Sequence, residues 1–398
     1  MTERARVRLA PQRPDVEEEG DGVEVTYTNI DSLSNMGIAH AECAIATPKA
    51  RPALAAPAPA RPRASARALA PAPLTPTARC PSHPSLAPRS IAKLKQTGIH
   101  SVEQLQMTSH RQLAFIKGLS DTKVDKLLDS ALKLVQPVCR FQTAKDLQTH
   151  RDDTCIKVST GCAEFDQILC GGFESGSITE IYGEARAGKS QLALTVAVAS
   201  FLPREAGGGE GRTLYLDTEG AFRPERLIPI ATRFDLDADF VQENVMHARI
   251  YNCDQLDAAI AEAGALFACE DPESAPFRTL VVDSIIGPYR QEFPGRGELA
   301  ERQQRMGRVL WMLKKIAETF NIAVVLTNQV TADPGAMAGP DAKKPVGGNI
   351  LAHAVNTRIM LRKGKGAQRI AKIVQSPLCG ELEAHFEITE GGVQSVTD

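Results

Sequence analysis

From about residue 155 to residue 327, short apolar segments alternate with longer segments of helix-forming sequence. The apolar segments cover residues 178–182, 213–217, 279–283 and 322–327, and each has the length of a strand. Strands that alternate with helices along a chain form mainly parallel sheets with helices on both faces. The pattern therefore predicts a doubly wound α/β domain, in which ligands bind at the carboxyl ends of the strands.

A predicted hairpin follows this region. Residues 357–362 and 369–374 alternate apolar and polar positions, which indicates strands with one buried face. The sequence between them, residues 363–366, reads KGKG, and glycine between two strands is typical of a turn. We expect this hairpin to extend the sheet.

A smaller helical domain is predicted from residues 90–137, together with a short helix in residues 26–38. One helix is expected to end at Gly98 and another at Gly118, because each glycine is followed by an apolar residue. Ser120 is placed to cap the helix that follows Gly118. This segment resembles a helix-hairpin-helix module, in which backbone N–H groups and lysine side chains bind DNA phosphates without recognising the base sequence. The candidate lysines are Lys117, Lys123 and Lys126. A small packing domain with solvated lysines is the alternative.

The helical domain is interrupted by a segment of different composition, residues 39–89. Residues 43–90 contain eleven prolines and seven lysines or arginines, but no aspartate or glutamate. Proline at this density disrupts helices and sheets, so the sequence predicts a disordered insertion. We interpret it as a tolerated insertion or as a translated intron. Residues 1–25, which are polar and charged, are predicted to be a disordered tail.

Composition narrows the class of protein. The chain has 398 residues, of which 43% are hydrophobic, and this is typical of a globular protein with two or three domains. No apolar run approaches the roughly 18 residues needed to cross a bilayer, so we expect an intracellular protein that does not contact membranes. The nine cysteines show no paired spacing, which favours reduced thiols over a disulfide scaffold or zinc site. Because the net charge is only −2, nucleic-acid binding would require a local basic surface.

Residues 183–190 read GEARAGKS and satisfy the phosphate-loop pattern between a predicted strand and a predicted helix. In this motif, backbone N–H groups surround the phosphates, the lysine reaches the β- and γ-phosphates, and the hydroxyl binds Mg²⁺. The lysine is Lys189 and the hydroxyl belongs to Ser190. The predicted phosphate-binding residues are Gly183, Glu184, Ala185, Arg186, Ala187, Gly188, Lys189, Ser190 and Gln191. A glycine-rich turn that matches by chance is the alternative.

Polar residues at the ends of other predicted strands complete this nucleotide site. Asp283 ends one strand, where a carboxylate can hold the Mg²⁺ shell through water, although a purely structural aspartate is the alternative. Glu219 follows another strand and has the character needed to polarise an attacking water. Asn328 and Gln329 follow a third strand, which places an amide where it would sense the γ-phosphate.

Three longer motifs identify a family. They are LDTEGAFRPERL at residues 216–227, GRGELAERQQ at residues 295–304 and TNQVTADPGA at residues 327–336. These motifs resemble the eukaryotic branch of the RecA recombinase family, and the resemblance extends over roughly residues 27–38 and 91–393. Within that branch, the segments AERQQ, TADPG and KVDK are closer to the meiosis-specific type than to the general-repair type.

The resemblance implies a RecA-like P-loop ATPase core over residues 151–398, preceded by a linker over residues 138–150 and by the helix-hairpin-helix domain. It implies an ATP- and Mg²⁺-dependent DNA strand-exchange recombinase that forms rings or helical filaments, with ATP bound between protomers. Such a protein would act in the nucleus on single- and double-stranded DNA, in meiotic recombination and double-strand-break repair. BRC-repeat mediators and other recombination accessory proteins would be its partners.

Two alternatives to an active recombinase remain open. One is a regulatory paralogue that binds DNA and ATP with little strand exchange or hydrolysis. The other is a RecA-fold hexameric helicase. The segment that resembles a helix-hairpin-helix module and the apolar plug motif in the linker, described below, argue against it.

The same resemblance implies roles for residues of the nucleotide site. Glu219 would be the catalytic carboxylate, acting with Lys189 and Gln329. Gln329 would also couple the γ-phosphate to DNA binding, and Arg226 would lie against the adenine.

The resemblance also implies two DNA-binding loops and a polymerisation motif. Residues 290–302 would form the first loop and residues 330–349 the second. The candidate DNA-binding residues of these loops are Arg290, Arg296, Arg302, Lys343, Lys344, Gly347 and Gly348. In the linker, Phe141 and Ala144 would form an apolar plug that enters a neighbouring subunit, in a pocket that includes Ala248.

Several positions depart from the family pattern. Ala185 and Ala187 replace an aromatic residue and a serine or threonine in the phosphate loop. Gln375 replaces the aspartate of a cap that reaches over the neighbouring protomer's ATP, and Gly380 replaces a proline. Ala342 replaces a proline in the second DNA loop. Because a carboxylate is missing at the cap, we expect a weaker monovalent-cation site beside the γ-phosphate and altered kinetics.

Overall fold

The computed structural model describes residues 29–30, 88–269, 274–332 and 343–396. Its helices are α1 (Pro88–Gln96), α2 (Val102–Gln106), α3 (His110–Ala114), α4 (Asp121–Leu134), α5 (Ala144–Thr154), α6 (Ala163–Ile168), α7 (Lys189–Ala199), α8 (Leu227–Arg233), α9 (Ala238–Asn244), α10 (Cys253–Ala268), α11 (Gly287–Glu292), α12 (Leu299–Phe320) and α13 (Gly348–Ala354). Its strands are β1 (Lys157–Val158), β2 (Phe173–Glu174), β3 (Ile178–Gly183), β4 (Arg212–Asp217), β5 (Val245–Arg249), β6 (Phe277–Asp283), β7 (Ala323–Asn328), β8 (Val330–Ala332), β9 (Lys343–Pro345), β10 (Thr357–Lys363), β11 (Gln368–Gln375), β12 (Glu383–Thr389) and β13 (Gly392–Gln394).

Nine of these strands form one mixed sheet, in the spatial order β13-β12-β11-β10-β3-β7-β6-β4-β5. The strands from β10 to β5 run parallel, whereas β11, β12 and β13 continue the sheet as antiparallel neighbours. The four apolar segments of the sequence are β3, β4, β6 and β7, so the α/β class is confirmed. The predicted hairpin consists of β10 and β11 and extends the sheet as expected. The sequence pattern does not predict β5, β12 or β13.

The two faces of the sheet bury two separate apolar clusters, because successive side chains of a strand point to opposite faces. In β6, Leu280 and Val282 belong to the cluster that contains α10 and α12, whereas Val281 belongs to the cluster that contains α7. Residues 192–199 of α7 are all buried, as expected for a helix that is apolar on every side. None of the helices in the described ranges is long and apolar enough to cross a membrane.

The four N-terminal helices, α1 to α4, pack around an apolar cluster of their own. Ser101 and Ser109 begin α2 and α3, and each side chain accepts a hydrogen bond from a backbone N–H of the first turn, which has no partner within the helix. Ile30 is buried in this cluster, and Asn29 forms an isolated bridge with Ser101. The segment predicted as a short helix therefore has these two residues in a bridge and a turn, and its other residues lie outside the described ranges.

The predicted tail and insertion also fall almost entirely outside the described residues. The exception is the end of the insertion, because Pro88 and Arg89 already belong to α1. The boundary of the helical domain therefore lies two residues earlier than the sequence indicates.

The two predicted glycine turns are present in the helical domain. The backbone angle φ is +80° at Gly98 and +86° at Gly118, a region that disfavours any residue with a Cβ atom, and the apolar residue after each glycine is buried. Ser120 differs from the prediction. Its side chain accepts no backbone N–H of α4 and instead lies 3.2 Å from the Thr122 hydroxyl oxygen.

The linker is partly helical, which corrects its predicted extent. α5 begins at Ala144, where Thr143 and Asp146 form a reciprocal capping box, and it continues to Thr154. No residue of α5 is buried. The helix therefore connects the N-terminal helical domain to the sheet domain without belonging to any of the three apolar clusters.

A buried lysine on α12, Lys315, joins the helical domain to the core. Its Nζ donates to the Gln104 carbonyl oxygen of α2 at 3.3 Å and to the Thr108 hydroxyl, and it lies 3.8 Å from the centre of the Trp311 ring. Lys315 is only 9% exposed, and burial lowers its pKa from 10.5 to about 7. The charged form of Lys315 therefore opposes folding.

Replacing this lysine is expected to change the pH dependence of stability. Between about pH 7 and pH 10.5 the unfolded chain binds a proton at Lys315 that the folded chain does not, so the free energy of unfolding rises with pH. Lys315→Met is expected to raise this free energy below pH 7 by a few kcal/mol, with about 5 kcal/mol as the upper limit from the pKa difference. Denaturant unfolding at pH 6, 7.5 and 9 measures the effect.

The neighbouring Lys314 supplies a matched control. Its side chain is half exposed and lies 4.0 Å from Glu318, so Lys314→Met is expected to leave the pH profile unchanged. The Thr108 hydroxyl donates to the Gln104 carbonyl oxygen at 2.7 Å without involving Lys315, so we expect no unpaired polar group in Lys315→Met. Equal pH slopes in wild type and Lys315→Met would contradict the prediction.

Candidate active site

The phosphate loop connects β3 to α7, and glycines fit its two ends. A Cβ atom on Gly183 would lie 2.3 Å from the Leu361 carbonyl oxygen of β10, so a larger residue would separate the two strands. Gly188 precedes α7 with φ of +105°, where L-residues with side chains are strained. No side chain caps α7 at this end. The backbone N–H groups of its first turn are therefore placed for an anionic ligand.

A cavity of about 480 Å³ lies over this loop. It is lined by Gly183, Glu184, Ala185, Arg186, Gly188, Lys189, Ser190, Gln191, Glu219, Gln329 and Val330. The structure therefore brings the phosphate loop together with two of the four predicted strand-end residues, Glu219 and Gln329, whereas Asp283 and Asn328 do not line the cavity. Of the predicted phosphate-binding residues, Ala187 is the one outside the lining, because it is fully buried against the core.

Lys189 lies across the loop that precedes it. Its Nζ donates to the carbonyl oxygens of Gly183 at 3.0 Å and Glu184 at 2.9 Å. Burial lowers the pKa of Lys189, whereas the charges of Glu219 and Asp283 act in the opposite direction. The ammonium group is thus held inside the cavity by carbonyl dipoles and two carboxylates.

Asp283 lies at the end of β6 and is almost fully buried. It accepts hydrogen bonds from the Tyr215 hydroxyl at 2.8 Å, from the Thr327 hydroxyl at 2.5 Å and from Ser190. Burial raises its pKa, while these three hydrogen bonds act in the opposite direction. A hydroxyl and a carboxylate are oxygen donors of the kind that Mg²⁺ prefers, so Ser190 and Asp283 fit this ion.

Glu219 is oriented by the turn that follows β4. Asp217 forms this turn by accepting the backbone N–H groups of Glu219 at 2.9 Å and Gly220 at 2.7 Å. Burial would raise the pKa of Asp217, but the N–H groups of the turn and the charge of Arg249 bring it below its ordinary value. The Glu219 Oε1 atom accepts from the Ser284 hydroxyl at 2.7 Å, so the carboxylate has a defined position.

Gln329 connects Glu219 to the first predicted DNA loop. Its Nε2 donates to Glu219 Oε1 at 2.8 Å, and its Oε1 accepts from the guanidinium of Arg290 on α11. These contacts form a continuous chain from a carboxylate of the cavity to an exposed arginine. Because the side-chain amide carries both a donor and an acceptor, it can hold both charged groups at once.

Asn328 has a different place from the one expected. Its Nδ2 donates to Glu180 Oε1 and to the Val346 carbonyl oxygen, both at 2.6 Å, and the residue is fully buried as the last one of β7. It does not line the cavity. Asn328 therefore holds the base of the second predicted DNA loop, and Gln329 alone supplies the amide at the nucleotide site.

Arg226 ties three elements together at the edge of the site. Its Nε donates to Gln191 Oε1 at 2.8 Å, and its terminal nitrogens donate to the carbonyl oxygens of Thr389 and Glu390. Arg226 does not line the phosphate-loop cavity, whereas Gln191 does. A contact between Arg226 and an adenine stays a prediction.

The comparison with known proteins decides the family. A model of the Rad51 family matches residues 151–396. The chain belongs to the Rad51 family. This assignment confirms the resemblance to eukaryotic RecA-type recombinases that the sequence motifs indicate.

Relatives of this Rad51-family chain include proteins named for meiotic recombination and proteins named for DNA repair. The meiotic recombination protein DMC1 homolog B of Oryza sativa subsp. japonica is 47% identical over 309 residues, which are 77% of this chain and 88% of that protein. The human meiotic recombination protein DMC1/LIM15 homolog is 47% identical over 305 residues, covering 76% and 88%. The DNA repair protein RAD51 homolog A of Zea mays is 46% identical over 316 residues, covering 79% and 90%.

The first predicted DNA loop of this Rad51-family chain is largely helical. It contains the end of α11, a 3₁₀ turn at Arg296–Glu298 and the beginning of α12. Arg290 is exposed, whereas Arg302 is half-buried and its Nε has no hydrogen-bond partner. For Arg296 the structure describes the backbone alone. Arg290 is thus the candidate with a described link to the nucleotide site.

The second predicted loop, residues 330–349, begins as strand β8, which pairs with β9 in an antiparallel ribbon, with Val330 opposite Pro345. Lys344 is exposed on this ribbon, and Lys343 pairs with Ala332 through the backbone. The two glycines after it begin α13: φ is +114° at Gly347 and +64° at Gly348. Of this predicted loop, residues 333–342, between the two strands of the ribbon, lie outside the described residues.

The predicted DNA-binding lysines of the helical domain lie apart from the phosphate loop. Lys117, Lys123 and Lys126 are exposed, and none of them lines the 480 Å³ cavity. Lys117 instead lines a cleft of about 1180 Å³ between the helical domain and α12, together with the aromatic residues Phe115 and Trp311. These lysines form a candidate surface that is separate from the nucleotide site.

The predicted interface residues lie in the linker and on the edge strand of the sheet. Phe141 is fully exposed, and Ala144 is exposed at the first position of α5. Ala248 lies half-buried on β5, which is the edge strand of the sheet, between exposed Met246 and exposed Tyr251. An edge strand has unpaired backbone groups on one side and is a site for pairing with another chain.

The departures from the family pattern have different structural settings. Ala187 is fully buried, where a serine or threonine would need a hydrogen-bond partner for its hydroxyl. Ala185 is exposed at the cavity. Gln375 ends β11, and its Nε2 is 3.4 Å from the Ala352 carbonyl oxygen. A Cβ atom on Gly380 would meet no atom within 4 Å, so space does not require a glycine there.

Sequence reasoning did not single out Ser284, Asp217 or Tyr215, although each positions a carboxylate of the site. Asp217 and Tyr215 belong to β4, the strand before Glu219, and nothing in the sequence distinguishes them from other residues of a strand. Ser284 directly follows Asp283 at the end of β6. Its position after a strand in a phosphate-loop protein is the one signal that would have found it.

Proposed function

We propose that this chain is an ATP-dependent DNA strand-exchange recombinase that assembles on single-stranded DNA and acts in meiotic recombination and repair. The observation that carries the proposal is the hydrogen-bonded chain from Glu219 through Gln329 to Arg290. It connects a phosphate-loop cavity to a predicted DNA loop, as a DNA-dependent ATPase requires. Membership of the Rad51 family and relatives named as DMC1 and RAD51 proteins support it.

In the proposed ATPase, each residue of the cavity has one task. Lys189 and the N–H groups at the start of α7 bind the phosphates of ATP. Ser190 and Asp283 would hold Mg²⁺, which neutralises phosphate charge when bound. Glu219, held by Ser284, orients the attacking water and accepts its proton.

Gln329 would report the state of the nucleotide to the DNA loops. A γ-phosphate that competes for the Gln329 amide would change its hydrogen bonds to Glu219 and Arg290, and Arg290 lies on the first loop. Val330, next to Gln329, begins the β8–β9 ribbon of the second loop. Both loops are therefore within one or two contacts of the same amide.

Gln329→Ala is expected to uncouple DNA binding from nucleotide binding. Coupling between two binding sites typically contributes ~1–3 kcal/mol, so the ratio of the affinities for single-stranded DNA with and without nucleotide should fall by roughly 5- to 150-fold. Equilibrium binding of single-stranded DNA with and without a slowly hydrolysed ATP analogue measures this ratio. Gln242→Ala is the control, because that amide donates to the Pro224 carbonyl oxygen instead. An unchanged ratio in Gln329→Ala would remove the residue from the coupling role.

The proposed DNA contacts do not read sequence. Exposed lysines and arginines bind the phosphate backbone through charge, and base pairing between the two DNA molecules then recognises homology. Arg290, Arg302 and Lys344 would serve the core, with Lys117 and Lys123 on the helical domain. Because the net charge of the chain is only −2, DNA binding would depend on these local basic residues. Their charges are exposed to solvent, so added salt would weaken the binding.

We also propose the organisation that this function requires. Residues 26–38 and 88–137 would form the helix-hairpin-helix domain, residues 151–398 the ATPase core, and Phe141 with Ala144 the contact to the Ala248 surface of the next protomer. The protein would act in the nucleus, with ATP between protomers and BRC-repeat mediators among its partners.

A regulatory paralogue is the second candidate, and it stays open because Ala185, Gln375 and Gly380 depart from the family pattern. Joint-molecule formation between single-stranded DNA and homologous duplex separates the two. It is measured with ATP, with a slowly hydrolysed analogue and without nucleotide, and Lys189→Ala serves as the nucleotide-site control. Exchange that requires nucleotide supports the recombinase. DNA binding without exchange under every condition would establish the regulatory paralogue instead.

A further inference from the structure

Two cysteines that are distant in sequence meet outside the nucleotide site. Cys170 follows α6, and Cys379 lies in the loop of residues 376–380 between β11 and β12. Their Sγ atoms are 3.0 Å apart, across 209 residues of sequence. Neither cysteine lines the phosphate-loop cavity.

The backbone holds each sulfur in place from its own side. Cys170 has φ of +57°, an uncommon left-handed conformation for a residue with a side chain. In the other loop, the Ser376 hydroxyl oxygen accepts the backbone N–H groups of Leu378 at 3.2 Å and Cys379 at 3.1 Å. Cys379 also packs against the apolar cluster of the core. The contact between the thiols therefore joins two ordered turns.

The surroundings give the two thiols different reactivity. Cys170 is exposed, and Lys157 brings an ammonium group beside it by donating to the Cys170 carbonyl oxygen at 2.6 Å. Cys379 is half-buried. Burial raises its pKa, and its hydrogen bond with Cys170 adds to this, whereas the charge of Lys157 opposes it. Cys170 is accordingly the thiol that an oxidant reaches first, and Cys379 is the thiol that resolves the product.

We propose that Cys170 and Cys379 are a reversible redox site that closes to a disulfide in the presence of peroxide and pins the loop of residues 376–380 to the end of α6. The Cys170 thiolate attacks hydrogen peroxide, breaks the O–O bond and becomes a sulfenic acid, with release of hydroxide. The Cys379 sulfur then attacks the Cys170 sulfur, an S–S bond forms, and the sulfenic oxygen leaves as water. In total, two thiols and one peroxide give one disulfide and two waters.

Other described thiols lack this combination of features. Cys155 contacts Glu174 Oε1 at 3.3 Å, and burial, followed by that carboxylate, raises its pKa to about 11. Cys253 is buried next to Glu292, and its pKa is raised to about 12. These thiols carry little thiolate at neutral pH. Disulfides in reducing compartments are generally transient and redox-sensing, which is the behaviour proposed for Cys170 and Cys379.

The test uses the full chain, needs neither ATP nor DNA, and is therefore independent of the proposed recombinase activity. The protein is treated with hydrogen peroxide, its remaining thiols are blocked, and peptides are compared by mass spectrometry with and without dithiothreitol. We expect one peptide pair joined through Cys170 and Cys379, lighter by two hydrogen atoms and lost on reduction. Hydrogen exchange of residues 376–380 should slow on oxidation and recover on reduction.

Three variants make the result specific. Cys170→Ser and Cys379→Ser should each abolish the joined peptide and the change in hydrogen exchange, while Cys269→Ser, at another exposed thiol, should retain both. Far-ultraviolet circular dichroism establishes that each variant is folded. Peroxide treatment that leaves Cys170 and Cys379 unlinked, or that joins either one to a different cysteine instead, would overturn the proposal.

Discussion

Glu219→Gln is expected to leave ATP binding intact and to lower the rate of ATP turnover by roughly 10²- to 10⁴-fold, the usual contribution of a general base. The substituted amide retains an oxygen that accepts from Ser284 and Gln329, so the local geometry is kept. What is lost is the ability to accept a proton from water. Lys189, Ser190 and the start of α7, which bind the phosphates in the proposed mechanism, are untouched.

Two measurements are needed for this prediction. Equilibrium binding of a fluorescent ATP analogue should be within a few-fold of wild type, whereas phosphate release should be strongly reduced. Glu205→Gln, in the 3₁₀ turn of residues 204–206 and outside the cavity, is the matched control and should hydrolyse ATP normally. Wild-type turnover in Glu219→Gln would assign the catalytic carboxylate elsewhere. Loss of binding in that variant would instead indicate a role in holding the nucleotide.

Phe141→Glu is expected to shorten or abolish the self-assembly of this chain. Burial of a phenylalanine side chain contributes about 1.5–3 kcal/mol, so each contact between protomers should weaken by roughly 10- to 150-fold. In a linear assembly this weakening acts at every contact, and the mean length falls accordingly. Dynamic light scattering and analytical ultracentrifugation over a range of protein concentrations measure the change.

The folded chain itself should not be affected, because Phe141 makes no buried contact within it. The unfolding temperature of Phe141→Glu, measured at a concentration where wild type is dissociated, should therefore match wild type. Phe115→Glu is the matched control, since Phe115 is another largely exposed phenylalanine of the N-terminal half. If both variants assemble like wild type, the plug assignment is wrong. If both fail equally, a general effect of added charge explains the result.

Much of the nucleotide site was predictable because local backbone requirements encode it. The phosphate loop needs glycine at Gly183, where β10 approaches, and at Gly188, where φ is positive, so its residues follow one another in the sequence. The carboxyl ends of parallel strands share one edge of the sheet, and this placed Asp283, Glu219 and Gln329 together in advance.

Other features could not be predicted because they depend on contacts between distant segments. Asn328 and Gln329 are adjacent and chemically alike, yet the first is buried against Glu180 and the second faces the cavity. Asn328 is the last residue of β7 and Gln329 directly follows the strand, so only the packing around this strand end decides which of the two amides faces the ligand.

By itself, the sequence determined the α/β class, the phosphate loop and its Lys189 and Ser190, and the motifs that identify the family, because each depends on residues close together in the chain. The tertiary structure alone decided the order of the strands, the link from Glu219 through Gln329 to Arg290, and the meeting of Cys170 with Cys379. These contacts join residues 110, 39 and 209 positions apart. These contacts form only after helices have packed on both faces of the sheet. This packing involves the whole chain rather than any single segment of it.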